Sequence, residues 1–100
     1  AVAGSGAGYV FELARAYVAA AEGIGFSHEQ ARALVLGTLE GTIAMAIDQD
    51  DKSLEDLRNS VTSKGGTTAA GLDALNGDGA VSRKFEQTLE AAYKRAVELR

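Results

Sequence analysis

One hundred residues, 46% of them apolar, fit one globular domain. A chain of this length buries roughly two-thirds of the surface its unfolded form exposes. The net charge of −4 argues against nucleic acid, which needs clustered Lys and Arg. The absence of cysteine excludes disulfides and thiolate chemistry, and no apolar run reaches the ~20 residues of a membrane span.

Much of the apolar share is Ala, with only three Phe and three Tyr beside it. A helical domain of that make-up gains from a partner surface. The opening Ala1-Val2-Ala3-Gly4-Ser5-Gly6 has no basic region followed by an apolar stretch, so no signal peptide is expected. A cytoplasmic protein is the expectation. The first residue is Ala rather than Met, which suggests a piece of something larger, and the chain contains no Pro.

Five helical stretches are predicted. The first covers about Gly6 to Glu22, with Tyr9, Val10, Leu13, Ala16, Tyr17 and Ala20 at helical spacing. Gly23 and Gly25 end it. Ser27 and Gln30 form a capping-box pattern with Phe26 ahead of the cap. The second helix then runs to about Asp48, about 31 Å long. Ala31, Leu34, Val35, Thr38, Leu39, Thr42, Met45 and Ala46 mark its apolar side, and Gly37 and Gly41 would let another helix approach closely. A polar loop, Asp48 to Lys52, follows. Ser53 can cap a third helix from Leu54 to Ser60, with Leu54, Leu57 and Val61 turned inward. A fourth helix is predicted from Thr67 to Asn76. Asn76-Gly77-Asp78-Gly79 reads as a turn. Ser82 can cap a fifth helix from Arg83 to about Leu99, with Phe85, Leu89, Ala92, Ala96 and Leu99 apolar. Val, Ile and Thr never alternate over a strand length, so the fold class is all-α.

The segment with chemical potential is Thr62-Ser63-Lys64-Gly65-Gly66-Thr67-Thr68. Two glycines let the backbone turn and come close to a ligand. The helix beyond presents unpaired N–H groups and a partial positive charge. Ser63, Thr67 and Thr68 bring three hydroxyls to the same place. Together these groups can hold a carboxylate or phosphate. A plain helix cap with a flexible lead-in explains the same seven residues, and from them alone it is the more ordinary reading. The segment is not a P-loop, because Lys64 precedes the glycines.

The longer string from Leu57 to Asn76 carries Val61-Thr62-Ser63-x-Gly65-Gly66-x-Thr68, then Gly71-Leu72 and Leu75-Asn76. It resembles the signature of pyrroline-5-carboxylate reductase. Gly4-Ser5-Gly6-Ala7-Gly8-Tyr9 is similar to the start of that family's first C-terminal helix, with Ala7-Gly8 in place of Pro-Ala. Lys64 stands where many members have Pro.

The resemblance implies the C-terminal helical dimerisation domain of such an enzyme. Its five helices would form an intertwined homodimer like the C-terminal domain of 6-phosphogluconate dehydrogenase. The family's N-terminal Rossmann domain is absent from this sequence, which contains no strand followed by Gly-x-Gly-x-x-Gly. The implied reaction is reduction of 1-pyrroline-5-carboxylate to L-proline with NADP or NAD as cofactor and no metal. It further implies that Ser63, Gly65, Gly66 and Thr67 hold the substrate carboxylate. Thr68 would stand beside the ring nitrogen, to orient the imine or supply a proton. The cofactor would be held mainly by the absent domain.

Other residues read as ordinary. His28 is a lone surface histidine without clustered ligands. Asp48, Asp50 and Asp51 lack the calcium-loop pattern and read as a solvated loop. Tyr9 and Tyr17 read as core or interface, and Glu86, Glu90, Lys94 and Glu98 as a solvated helix face. Two alternatives stand beside the reductase domain: a non-enzymatic helical dimer or interaction module that keeps the fold, and the helical domain of another NAD(P)-dependent imine or hydroxyacid enzyme.

Overall fold

The computed structural model describes residues 2–100. Ala1, which opens the segment read above as no signal peptide, lies outside them. Five α-helices follow in order: α1 (Gly6–Gly23), α2 (His28–Asp48), α3 (Leu54–Ser60), α4 (Thr67–Asn76) and α5 (Ala80–Glu98). No strand occurs among the described residues, as the missing period-two alternation predicts. No helix among them is long and apolar enough to cross a membrane. The chain divides into two units, one over residues 3–51 with α1 and α2, the other over Val2 and residues 52–100 with α3, α4 and α5.

In the first unit, α1 ends where Gly25 takes a positive φ of 118° and lets the Phe26 N–H reach back to the Ala21 carbonyl at 3.4 Å. The capping box at α2 forms as its sequence pattern requires. Ser27 Oγ accepts from the Gln30 N–H at 3.2 Å, and Gln30 Oε1 accepts from the Ser27 N–H at 3.1 Å. His28 is exposed, and its Nδ1 lies 3.0 Å from Glu22 Oε1 across the connecting loop.

The face that joins α1 to α2 differs from the predicted one. Val18, Ala31 and Val35 form the buried cluster, with Ala21 and Leu39 packed against it. Ala31 is wholly buried. Small side chains at this seam let the two backbones approach closely. The predicted apolar face of α1 lies elsewhere: Val10, Leu13 and Tyr17 are all about half exposed or more. On α2, Ala31, Val35, Leu39 and Ala46 turn inward while Leu34 and Met45 stay exposed. A Cβ added at Gly37 or Gly41 would meet open space. These glycines therefore serve no close helix approach among the described residues.

In the second unit, Ser53 Oγ accepts from the Asp56 N–H at 3.0 Å and caps α3. Only Leu57 of the predicted inward trio is half-buried; Leu54 is 74% and Val61 61% exposed. Seven residues make two turns, and a helix so short covers one side chain rather than a stripe.

Helix α5 begins three residues earlier than predicted. Ser82 is not its cap. Asp78 Oδ1 accepts from the Ala80 N–H at 3.0 Å, and Asn76 Oδ1 accepts from the Val81 and Ser82 N–H groups at 3.0 and 3.2 Å. The free amides at the start of α5 are thus satisfied by the last residue of α4 and by the turn. Asn76 Nδ2 also donates to Ser82 Oγ at 3.1 Å. One amide side chain in this way ties the end of α4 to the start of α5, and the two helices pack against each other.

Candidate functional site

The segment between α3 and α4 is built in three steps. First, the end of α3 uses up the neighbouring hydroxyls. Ser60 Oγ donates to the Leu57 carbonyl at 2.7 Å, and Thr62 Oγ1 donates to the Arg58 carbonyl at 2.6 Å. Both bonds go to carbonyls in the last turn of α3, and that of Arg58 also accepts from the Val61 N–H at 3.3 Å.

Second, residues 63–66 form a tight turn closed by the Gly66 N–H donating to the Ser63 carbonyl at 3.1 Å. Gly65 has φ +72°, and no non-glycine residue among those described has positive φ. A negative φ at Lys64 followed by a positive φ at Gly65 is the pattern of a type II turn, which needs Gly at its third position. Lys64 then occupies the second position, where Pro also fits well. A change between Lys and Pro there keeps the turn.

Third, α4 starts without a side-chain cap. Its N-cap is Gly66, in an extended conformation, and no side chain accepts from its first amides. The first internal bond is from the Ala70 N–H to the Gly66 carbonyl at 3.2 Å. The N–H groups of Thr67, Thr68 and Ala69 are therefore left for water or a ligand. No acidic residue stands in the first turn of α4, as in α1 and α5, whereas α2 has Glu29 and α3 has Glu55 and Asp56.

The three predicted hydroxyls behave differently from those of Ser60 and Thr62. No hydrogen bond among the described residues engages the side chains of Ser63, Thr67 or Thr68, and all three are exposed. Ser63 Oγ sits over Gly66: a Cβ built at residue 66 would come within 2.5 Å of it. The structure thus brings Ser63, Gly65, Gly66, Thr67 and Thr68 together on one turn and one helix end. Free N–H donors, free hydroxyls and the positive end of a helix dipole suit a carboxylate.

This geometry separates the two glycines. Around Gly65 an added methyl would meet nothing within 4 Å, so its replacement strains only the backbone. Gly65→Ala is expected to cost about 1 kcal/mol of stability for forcing a Cβ into the left-handed region. Gly66→Ala must instead push Ser63 Oγ aside by a rotation of Ser63, and its methyl also presses on the Ser63 carbonyl oxygen at 3.3 Å, which that rotation does not move. It is expected to weaken carboxylate binding at this turn several-fold. Thermal melts and carboxylate titrations on both variants check this; unchanged binding by Gly66→Ala would remove Ser63 Oγ from the candidate site.

Elsewhere, Glu12 and Arg15 pair on α1 at 2.7 Å, fully exposed, and the Arg15 hydrogen bond holds the Glu12 carboxyl below its ordinary pKa. Asp48, Asp50 and Asp51 are exposed. No group of three or more His, Asp or Glu side chains among the described residues could hold a metal ion. Tyr9 is half-buried and Tyr17 is 51% exposed. The role of Asn76 in starting α5 was missed by the sequence reading, although an Asn two residues before an Asp and six before a Ser is a usable capping signal.

Comparison with known proteins adds the following. A protein-family model described as pyrroline-5-carboxylate reductase dimerisation matches residues 1–99. The pyrroline-5-carboxylate reductases of Staphylococcus aureus (strain COL) and Staphylococcus epidermidis (strain RP62A) are each 40% identical to this chain over 99 residues. Those residues are 99% of this chain and 36% of theirs. The crystal structure of the Plasmodium falciparum pyrroline carboxylate reductase with NADP bound is similar to this chain at a TM-score of 0.86 and 29% identity. The match covers 94% of this chain and 35% of that one. The sequence thus spans about a third of the length of the relatives it matches.

Proposed function

The chain belongs to the pyrroline-5-carboxylate reductase family, as its dimerisation domain, and from that premise we propose that it carries the carboxylate-binding part of an imine-reducing site. The reaction is reduction of 1-pyrroline-5-carboxylate to L-proline, in the cytoplasm. The observation that supports this best is the start of α4, which has three unpaired N–H groups, three uncommitted hydroxyls and no acidic residue in its first turn. That is what a carboxylate needs, and it falls on the segment that carries the family signature.

In this reading the N–H groups of α4 and the Ser63 and Thr67 hydroxyls hold the substrate carboxylate. Gly65 and Gly66 let it approach the backbone. Fixing the carboxylate fixes the five-membered ring, and orientation of two bound partners supplies much of the rate enhancement. The Thr68 hydroxyl then stands beside the ring nitrogen and gives it a proton or a hydrogen bond as the imine becomes an amine.

NAD(P)H, when bound, supplies the hydride for the imine carbon. The five helices offer no strand, glycine turn and helix of the kind that cradles a dinucleotide, among the described residues. Its binding is assigned to a Rossmann domain outside this sequence.

The partner is a second copy of the chain, in a helix-swapped dimer. The exposed apolar side chains of α1 and the open space at Gly37 and Gly41 of α2 support this. Small residues four apart on a long helix leave room for a neighbouring helix, and here no helix of the same unit fills it.

The direct test is NADPH and NADH oxidation by the full-length protein on addition of 1-pyrroline-5-carboxylate, with proline measured as product. Turnover with stoichiometric proline is the expected result. Absence of oxidation with either nucleotide would overturn the reading.

A further inference from the structure

The chain has a single Asn-Gly step, Asn76-Gly77, and it falls where α4 gives way to α5. In an open chain this is the step most prone to deamidate, because glycine puts no side chain between its amide nitrogen and the preceding carboxamide. The end of α4 nevertheless requires glycine here. A Cβ at residue 77 would run into the carbonyl oxygen and the carboxylate of Asp73. Asn76 is tied in as well, since its Oδ1 accepts from the Val81 and Ser82 N–H groups at 3.0 and 3.2 Å at the start of α5. The fold therefore keeps a chemically labile pair at a point it uses for structure.

The same contacts engage both reacting groups. Deamidation begins when the Gly77 nitrogen loses its proton and attacks Cγ of Asn76. That N–H donates instead to the Asp73 carbonyl at 2.8 Å. The carboxamide is held by the two bonds at Oδ1 and by a third from Nδ2 to Ser82 Oγ at 3.1 Å. The Asn76 carbonyl accepts from the Gly79 N–H at 3.0 Å. Asn76, Gly77 and Ser82 are all exposed, so water reaches them and the protection comes from hydrogen bonds rather than from burial. We propose that Asn76-Gly77 is a latent modification site, closed by the α4–α5 connection and open to deamidation once that connection comes apart. On opening, the Gly77 nitrogen bonds to Cγ, the side-chain nitrogen leaves as ammonia, and a five-membered succinimide forms. Water then opens the ring at either carbonyl and leaves an aspartyl or an isoaspartyl residue. The isoaspartyl form routes the backbone through the side chain and puts an extra carbon between residues 76 and 77. The bond from Gly77 to Asp73 and the cap on α5 cannot then re-form together, so the change is a one-way record of opening.

The test follows deamidation of the full-length protein at mildly alkaline pH by peptide mapping with mass spectrometry. The parent is incubated in native buffer and in urea, beside Ser82→Ala and Ser82→Thr in native buffer. Asn76 of the native parent is expected to deamidate at least about ten-fold more slowly than in urea, because reaction is confined to the small fraction of molecules whose connection is open. Ser82→Ala removes the one acceptor of Nδ2 and leaves the backbone bonds in place. It is expected to speed deamidation about two- to five-fold, with helicity by circular dichroism retained, while Ser82→Thr keeps the hydroxyl and the parent rate. Equal rates for the parent in native buffer and in urea would overturn the inference, because the site is then not closed by the fold. A Ser82→Ala protein that keeps its helices and deamidates no faster than the parent would overturn it too, because the Asn76 anchor is then not what closes the site.

Discussion

Thr68→Ala in the full-length protein is expected to lower kcat about 100-fold, the lower end of what a positioned proton donor contributes. The expectation follows from where the hydroxyl stands. Thr68 is the second residue of α4, exposed, with its side chain uncommitted, while Thr62 six residues earlier spends its hydroxyl on the Arg58 carbonyl. The substitution leaves α4 intact, because Ala is the better helix former by up to about 0.7 kcal/mol. Melting temperature and secondary structure should be retained, so lost turnover cannot be traced to lost fold. Thr68→Ser, which keeps the hydroxyl, should recover most of the rate. The backbone amide of residue 68 survives in both variants, so KM for the imine should move only a few-fold. A kcat unchanged in Thr68→Ala would show that the proton comes from elsewhere, from water or from another part of the protein.

The double substitution Leu13→Asp with Tyr17→Asp is expected to break self-association. Leu13 and Tyr17 lie one turn apart on α1, 50% and 51% exposed, and neither belongs to the seam of Val18, Ala31 and Val35 that joins α1 to α2. Full burial of a large apolar side chain stabilises by about 1.5–3 kcal/mol. Two such side chains on each copy, replaced by charges that would have to be desolvated, raise the dissociation constant by well over 100-fold. Sedimentation velocity at micromolar concentration should show a dimer for the parent chain and a monomer for the variant. Circular dichroism should stay helical, since the α1–α2 seam is untouched. A variant that still sediments as a dimer would place the interface on another surface.

The helices themselves were largely readable one by one. Ser27 with Gln30 and Ser53 ahead of Asp56 are local capping signals, and both form the predicted bonds because partner and target lie within three residues of each other. The turn ahead of α4 was readable for the same reason. Its glycines and its hydroxyls are consecutive, so their spacing alone brings them together. The start of α5 failed because its caps come from side chains at Asn76 and Asp78, before the helix, and not from the Ser82 hydroxyl nearest the apolar run.

The sequence by itself determined that the chain is all-helical, where α3 and α4 lie, and that Ser63, Thr67 and Thr68 gather at one helix start, while only the structure decided that this start has no side-chain cap. These are properties of local spacing, and a helix or a turn forms from neighbours. The sequence did not determine which apolar face of α1 meets α2. Periodicity marks two apolar faces on α1, one of large side chains through Leu13 and Tyr17 and one of small ones through Ala14, Val18 and Ala21, and it attaches no partner to either. Tertiary packing chose the small face for α2, because Ala31 and Val35 need close backbone approach, and it left the large face outward. It likewise decided that Gly65 takes a positive φ and that Ser63 Oγ lies over Gly66. Both facts depend on the path of the turn in space, which the order of residues alone does not specify.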